Sequence, residues 1–384
     1  MSELPYERGA ILAETADDFA KLRAAWRIVE RRHADGTLFD FTGLTRSFEP
    51  AAGPYDDELA PALVGERLTE LALDHLGGVR GRDDVFVANR LTAAVVAAMQ
   101  VLVRPGARVV GVSASHTHPA VIRAVRLAGG DFVEGGALES ADLVVLTRLA
   151  VTYEALPEAE LARVASSGPP VFVDDAGGAR VGPAVLGQPK TLELGALVGA
   201  TGLDKYGTAG PRLGLLAGRA EVVARIRARA IELGLEARPM LYPAVVRSLE
   251  AYRPERVREL VATTDAVGDA LAARIPDVLE RTPFALRVPG EALLRRAGVD
   301  DGAVAPIEAT AALAMLLLRE HGIFTVHFAA LPPGTSALLV KFVPPETLAR
   351  FGGAERFASA VESCVDGLRD VLAPDALRGL LGVS

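Results

Sequence analysis

Lys205 is the single lysine in the stretch "GATGLDKYGTAGPRLGLLAG", residues 199–218, where short apolar strand-like runs flank a glycine-rich turn. An ammonium in an apolar neighbourhood is costly unless it is paired or loses its charge. Lys205 therefore either points into water or does chemistry. Upstream, Asp174 and Asp175 end the apolar run of "PVFVDDAGGARV". In an open parallel sheet, ligands sit at the carboxyl ends of strands, so an acid there is placed to contact one. Asp before Gly also caps turns, and with two adjacent aspartates both readings hold. Asn89, Arg90, Leu91 and Thr92 join a strand end to a helix start. Exposed backbone N–H groups with a threonine hydroxyl make a phosphate cradle at such a junction, although Asn and Thr are also ordinary helix caps. His116 and His118 in "SASHTHPAV" lie at another strand end, with a spacing that puts both on one side of an extended segment.

The elements that must position these residues alternate. The apolar runs "DVFVAN", "ARVVGVSAS", "ADLVVLTR", "PVFVDDAGG", "LGALVGATG" and "RLGLLAG" read as strands buried on both faces. Helical patterns follow the first three, as in "LTAAVVAAMQVLV" and "HPAVIRAVRLAGG". That alternation argues for an α/β fold with a mostly parallel sheet, flanked by helices through right-handed crossovers. Two helices precede it, in "ADDFAKLRAAWRIVERRHADG" and in "ELAPALVGERLTELALDHLGG", which stops at a glycine pair. "VVARIRARAIELGLEARPM" reads as a long helix leaving the domain. After Tyr242 the pattern turns helical and then mixed, through "ALLRRAGV", "IFTVHF" and "ALLVKFV". The expected organisation is an N-terminal helical arm over 1–54, a large α/β domain over 55–242 and a small α+β domain over 243–384.

Composition narrows the function classes. The chain has 384 residues, half of them hydrophobic and 5% aromatic, with a formal net charge of −8. The acidic balance, without a basic block, argues against nucleic acid as the main partner. The acidic start lacks the apolar core of a signal peptide, and no run of about 20 apolar residues suits a membrane helix, so a cytoplasmic protein is expected. The one cysteine, Cys364, has no internal disulfide partner and reads as a core residue in a helix. No Cys/His cluster has zinc spacing, and no metal is expected. Neither GxxxxGK[ST] nor a GxGxxG after the first strand occurs, which argues against a Walker loop and a nicotinamide site.

A strand-end phosphate cradle, a strand-end His, a strand-end Asp and a later strand-end Lys, in that order, resemble fold-type I pyridoxal-phosphate enzymes. The ordered set "ELALDHLGG", "ANRLTAA", "HPAVIRAVRLAGG", "VFVDDAGGARV", "LDKYGTAGPRLGLLAGR" and "ELGLEARPMLYPAVVRSLEAY" resembles, over roughly Tyr55 to Tyr252, the archaeal-type homologues of bacterial selenocysteine synthase, relatives of the seryl-tRNA selenium transferases. The resemblance implies pyridoxal 5'-phosphate as cofactor. It implies Lys205 as its Schiff-base lysine, Asp174 as partner of the pyridinium nitrogen, His118 stacked on the ring, and Asn89, Arg90, Leu91 and Thr92 around the phosphate. Relatives often carry His, Gln or Ser three residues after the Asp, near the cofactor oxygen. Here that residue is Gly177. The hydrogen bond then comes from elsewhere, Thr147 or Thr152, or is lacking.

On this scheme an amino acid displaces Lys205, whose freed amine removes the Cα proton. A leaving group then departs from Cβ, and water releases pyruvate and ammonia or a nucleophile adds instead. Arg212 or Arg238, with His116 as a further substrate contact, would hold the substrate, the arginines by a bidentate pair to its carboxylate. A surface salt bridge explains either arginine equally well. Cβ elimination or replacement (C–S, C–O or C–Se) is the expected reaction. Transamination and a non-catalytic cofactor-binding protein are the alternatives. A homodimer or larger homo-oligomer is expected, and a tRNA-linked substrate stays open.

Overall fold

The computed structural model describes residues 8–45, 59–299, 302–329 and 334–383. Contacts divide the chain into two compact units. One is Leu44–Arg258; the other joins the described residues up to Gly43 with those from Glu259 onward. The expected boundary at 54/55 lies outside the described residues.

The Leu44–Arg258 unit is built on seven strands: β1 (Asp83–Ala88), β2 (Arg108–Val112), β3 (Asp131–Glu134), β4 (Leu143–Thr147), β5 (Val171–Asp174), β6 (Val198–Gly202) and β7 (Gly214–Arg219). Their order across the sheet is β1-β7-β6-β5-β4-β2-β3. Strands β2 to β6 pair in parallel, and β7 runs antiparallel to both neighbours, β1 and β6. The expected mostly parallel, helix-flanked α/β sheet is thus the observed one. Its central strands are apolar and buried without interruption, because helices cover both faces. The edge strand β3, "DFVE", is short and largely exposed, so it lacks the apolar run by which its neighbours announce themselves.

Around the sheet pack α1 (Ala60–Leu76), α2 (Leu91–Leu102), α3 (Pro119–Leu127), α4 (Glu158–Ala165), α5 (Gly178–Val185), α6 (Ala220–Glu232) and α7 (Tyr242–Ala251). One face is sealed by α2, α3 and α6 over Phe86, Val109, Phe172 and Leu216. The alanines of α2, buried at 93, 94, 97 and 98, let it lie close to the sheet. On the other face α7 joins the layer: Val245, Val246 and Leu249 pack with Leu68, Ala72 and Leu73 of α1. The long helix expected through residue 240 stops at Glu232. The chain beyond Gly234 runs beside β1 instead, with Glu236 bridged to Ala88 and the Ala237 N–H donating to the Val87 carbonyl at 3.0 Å.

The other unit has an antiparallel sheet of three strands, ordered Ala337–Lys341, Ala285–Pro289, Glu280–Thr282. Its core element is the helix Pro306–His321, in which every residue from Ile307 to Leu318 is buried. A helix buried on all sides over that stretch carries little amphipathic signature, and the sequence pattern singles out no helix there. The helix Ala354–Asp366 holds Cys364, buried and free as expected of a core residue. Burial, reinforced by Glu320, pushes its thiol up to about 12. Among the described residues no helix is long and apolar enough to cross a membrane.

Candidate active site at the strand ends

Asp174 is the last residue of β5 and lies in register between Thr147 of β4 and Ala200 of β6. Successive residues of an extended chain point to opposite sides, so the two aspartates part company here. Asp175 meets Arg148 in a bidentate pair, with Arg148 Nε donating to Oδ1 at 3.1 Å and Nη2 donating to Oδ2. Thr191 Oγ1 also donates to Asp175 Oδ2, at 2.6 Å. Arg148 and Asp175 are both fully buried. The guanidinium reaches this position over Gly182, where a Cβ would come within 2.5 Å of Arg148 Nη1. Asp174 is buried too, but its Oδ1 has no hydrogen-bond partner. Burial pushes its carboxyl up to about 6, opposed by the nearby charge of Lys205.

Lys205 sits in the turn between β6 and β7. The turn is closed by the Leu203 N–H donating to the Leu213 carbonyl and the Gly210 N–H donating to the Leu203 carbonyl, both at 3.0 Å. Thr208 Oγ1 donates to the Lys205 carbonyl at 2.7 Å, and Lys205 bridges to Leu44. The ammonium folds back over the end of β6, lying 3.7 Å from where a Cβ on Gly202 would stand. Arg212, one of the two arginines expected to hold a substrate, pairs through Nε with Asp204 Oδ2 at 3.0 Å. Arg238 is exposed ahead of the short turn Pro239–Leu241.

His118 caps α3, with its Nδ1 accepting from the Ala120 N–H at 3.0 Å. That bond selects the neutral tautomer with its proton on Nε2. The ring touches solvent, yet the surrounding protein, then the charges of Lys205, Arg123 and His116, hold its pKa down at about 4. His116 is exposed beside it. At the start of α2, Arg90 is the N-cap residue and makes no side-chain cap. Asn89, Arg90 and Thr92 are exposed and Leu91 half-buried. The first turn of this 12-residue helix thus has no side-chain cap, and uncapped first-turn N–H groups are what attracts an anion.

Lys205, Asp174 and His118 act electrostatically on one another through the lysine. Of the two threonines considered near Gly177, Thr152 is engaged with Ser115 Oγ at 2.7 Å and Glu154 Oε2 at 2.8 Å. Thr147, beside Asp174, has a buried hydroxyl with no partner. Two arginines escape a sequence reading. Arg148 carries no signal beyond its place at a strand end. Arg180, within "DDAGGARV", is fully buried. Its Nη2 donates to the Ala176 carbonyl at 2.9 Å, Thr201 Oγ1 at 2.9 Å and the Gly202 carbonyl at 2.7 Å, tying the chain after Asp174 to the strand that leads to Lys205. His75 Nε2 accepts from its Nη1 at 3.3 Å, and burial with that cation holds His75 neutral, down at about 3.

No family model matches the chain. A "UPF0425 pyridoxal phosphate-dependent protein" of Methanothermobacter thermautotrophicus is 31% identical over 97% of this chain and 96% of the relative. One of the same description from Methanosphaera stadtmanae is 31% identical over 79% of this chain and 83% of the relative. Among solved structures, an alanine–glyoxylate aminotransferase from Nostoc sp. aligns with a TM-score of 0.58 at 16% identity, over 85% of this chain and 95% of that one. A ureidoglycine–glyoxylate aminotransferase from Bacillus subtilis aligns with a TM-score of 0.56 at 15% identity, over 86% and 92%. At such identity the likeness is one of fold.

Two stability measurements follow from the paired aspartates. Because the Asp174 carboxyl is raised from 3.8 to about 6 in the folded chain, the folded state binds more protons than the unfolded one between those values. The cofactor-free protein should therefore lose about 2 kcal/mol of stability as pH rises from 4 to 7. Denaturant titrations should find that part of the slope gone in Asp174→Asn. Asp175→Ala leaves the buried Arg148 cation without a counter-charge and should cost about 3–5 kcal/mol, read as a lower denaturation midpoint, while Asp174→Ala, which removes an acid with an unsatisfied oxygen, should not lower it.

Proposed function

The chain belongs to the UPF0425 pyridoxal phosphate-dependent proteins, and from that premise we propose that it acts on an amino acid, with Lys205 as the covalent anchor of the cofactor and bond cleavage at Cβ as the reaction. Pyridoxal phosphate supplies, when bound, an electron sink conjugated to the substrate amine. The observation that carries the reading is the buried Asp174 Oδ1 with no partner in reach of the Lys205 charge. An unpaired buried carboxylate is expensive, and a cationic ring N–H is the donor that would relieve it. The uncapped start of α2, with Asn89, Arg90, Leu91 and Thr92, suits the phosphate. A neutral His118 offers a flat face without a charge.

In this reading Asp174, once paired with the ring nitrogen, stays ionised and keeps that nitrogen protonated. Lys205, released by the incoming amine, is the base that takes the Cα proton. Arg212 or Arg238 holds the substrate carboxylate, and His116 borders the substrate. Loss of a sulfur, oxygen or selenium leaving group from Cβ, followed by water, gives pyruvate and ammonia; addition of a nucleophile gives a replaced amino acid. Cleavage at Cβ is supported by the motif resemblance to selenium transferases. The structural neighbours named above, both aminotransferases, supply the competing reading.

Lys205→Ala should abolish the visible absorbance of the cofactor-loaded protein, and borohydride trapping with mass spectrometry should find the cofactor on the peptide containing Lys205. Modification of Lys190 in its place would overturn the assignment. With serine, cysteine or cysteine conjugates and no keto acid, catalytic pyruvate is expected. Stoichiometric conversion of the cofactor to its amine form, reversed only by a keto acid, would establish transamination instead. We also propose a homodimer or larger assembly, as fold-type I resemblance implies. Sedimentation should find no active monomer at low concentration.

A further inference from the structure

Gly177, three residues beyond Asp174, is bare for a reason visible in its surroundings. A Cβ there would lie 2.3 Å from Cε2 and 3.0 Å from Cδ2 of Tyr206. The space is already filled by the ring of the residue next to Lys205. Tyr206 is buried and has a left-handed backbone, with φ of +46°. A bulky residue persists in that conformation only where its surroundings over-determine it. The Gly177 seat supplies one constraint. The other is a side-chain hydrogen bond to Tyr153, whose own φ is +67°. Tyr153 stands in the turn after β4, where its N–H donates to the Ala150 carbonyl at 2.9 Å and the Ala150 N–H donates to the Glu154 carbonyl at 3.0 Å. Three non-glycine residues among those described have positive φ, and two of them are this pair.

The two tyrosines come from the turns after β4 and β6 and meet beside the turn that follows Asp174. Rotation at Tyr206 would turn the peptide that joins it to Lys205, whose carbonyl is held by Thr208. We propose that Tyr206, locked by Tyr153 and seated on Gly177, is a positioning residue that sets the direction of the Lys205 side chain. The proposal rests on the reading of Lys205 as the cofactor lysine. It also accounts for the small residue after the aspartate: the gap at Gly177 is a requirement of the clamp.

The test uses the cofactor-loaded protein and follows its visible absorbance against pH, with borohydride trapping run alongside. Tyr206→Phe and Tyr153→Phe each remove the shared bond while keeping the ring. Each should shift the pH midpoint of the absorbance change by half a unit or more, and the double variant should shift it no further than the larger single, because one bond is lost in all three. Gly177→Ala should deplete the Lys205-linked chromophore at least tenfold. Adding Tyr206→Asn, a short residue tolerant of the left-handed region, should restore cofactor loading with a displaced midpoint. Trapping at Lys205 with midpoints superimposable on the parent in both Phe variants would overturn the clamp and leave the Lys205 reading standing. So would a Gly177→Ala protein that loads and titrates like the parent. Trapping at another lysine in the parent would overturn both.

Discussion

Two carboxylates on consecutive residues, both buried at the end of one strand, are the constraint around which this unit is organised. Their mutual repulsion and the loss of water would be prohibitive if neither found a partner. The extended backbone sends them to opposite sides, and only Asp175 is given a full set of partners within the chain, in Arg148 and Thr191. Asp174 is left with an oxygen that nothing in the described chain satisfies. The neutralised pair on one side holds the strand end in place, and the unsatisfied acid on the other is the one proposed to meet the cofactor. Arg180 extends the same logic: by spanning the Ala176 and Gly202 carbonyls it couples the chain after the aspartates to the strand before the lysine.

Much of this was legible in the sequence because the relevant signals are local. Apolar runs of β-branched residues marked β2, β4, β5 and β6 as doubly covered strands, and a polar residue type breaking each run marked its carboxyl end. Lys205 stood out because a cation followed an apolar strand at a glycine-rich turn. What escaped was decided by tertiary contact. "DDAGG" does not say which aspartate pairs with an arginine, because Arg148 lies 27 residues away. Gly177 reads as a missing donor until the Tyr206 ring is found against it. The helix Pro306–His321 lost its periodicity through complete burial, and β3 lost its apolar run through exposure at the sheet edge.

Family membership and fold speak to different questions in this protein. A relative at 31% identity over 97% of the chain carries the cofactor assignment. Structural neighbours at 15–16% identity share the sheet and its crossovers, a scaffold that hosts many reactions. What distinguishes one reaction from another on this scaffold is how protons and leaving groups are handled around the cofactor. In the reading proposed for this chain, that task falls to the surroundings of Lys205: a buried acid, a neutral imidazole and a tyrosine-backed turn.

The single cysteine gives the unit that holds it an intrinsic spectator. Burial and Glu320 push its thiol up to about 12, so far less of Cys364 is ionised at neutral pH than of an ordinary thiol. The helix that carries it also screens it from solvent. Native Cys364 is therefore silent toward alkylating and oxidising reagents, and it gains reactivity by several orders of magnitude once the helix Ala354–Asp366 lifts. Thiol labelling under native conditions thus counts the openings of that helix, using an atom the chain already carries.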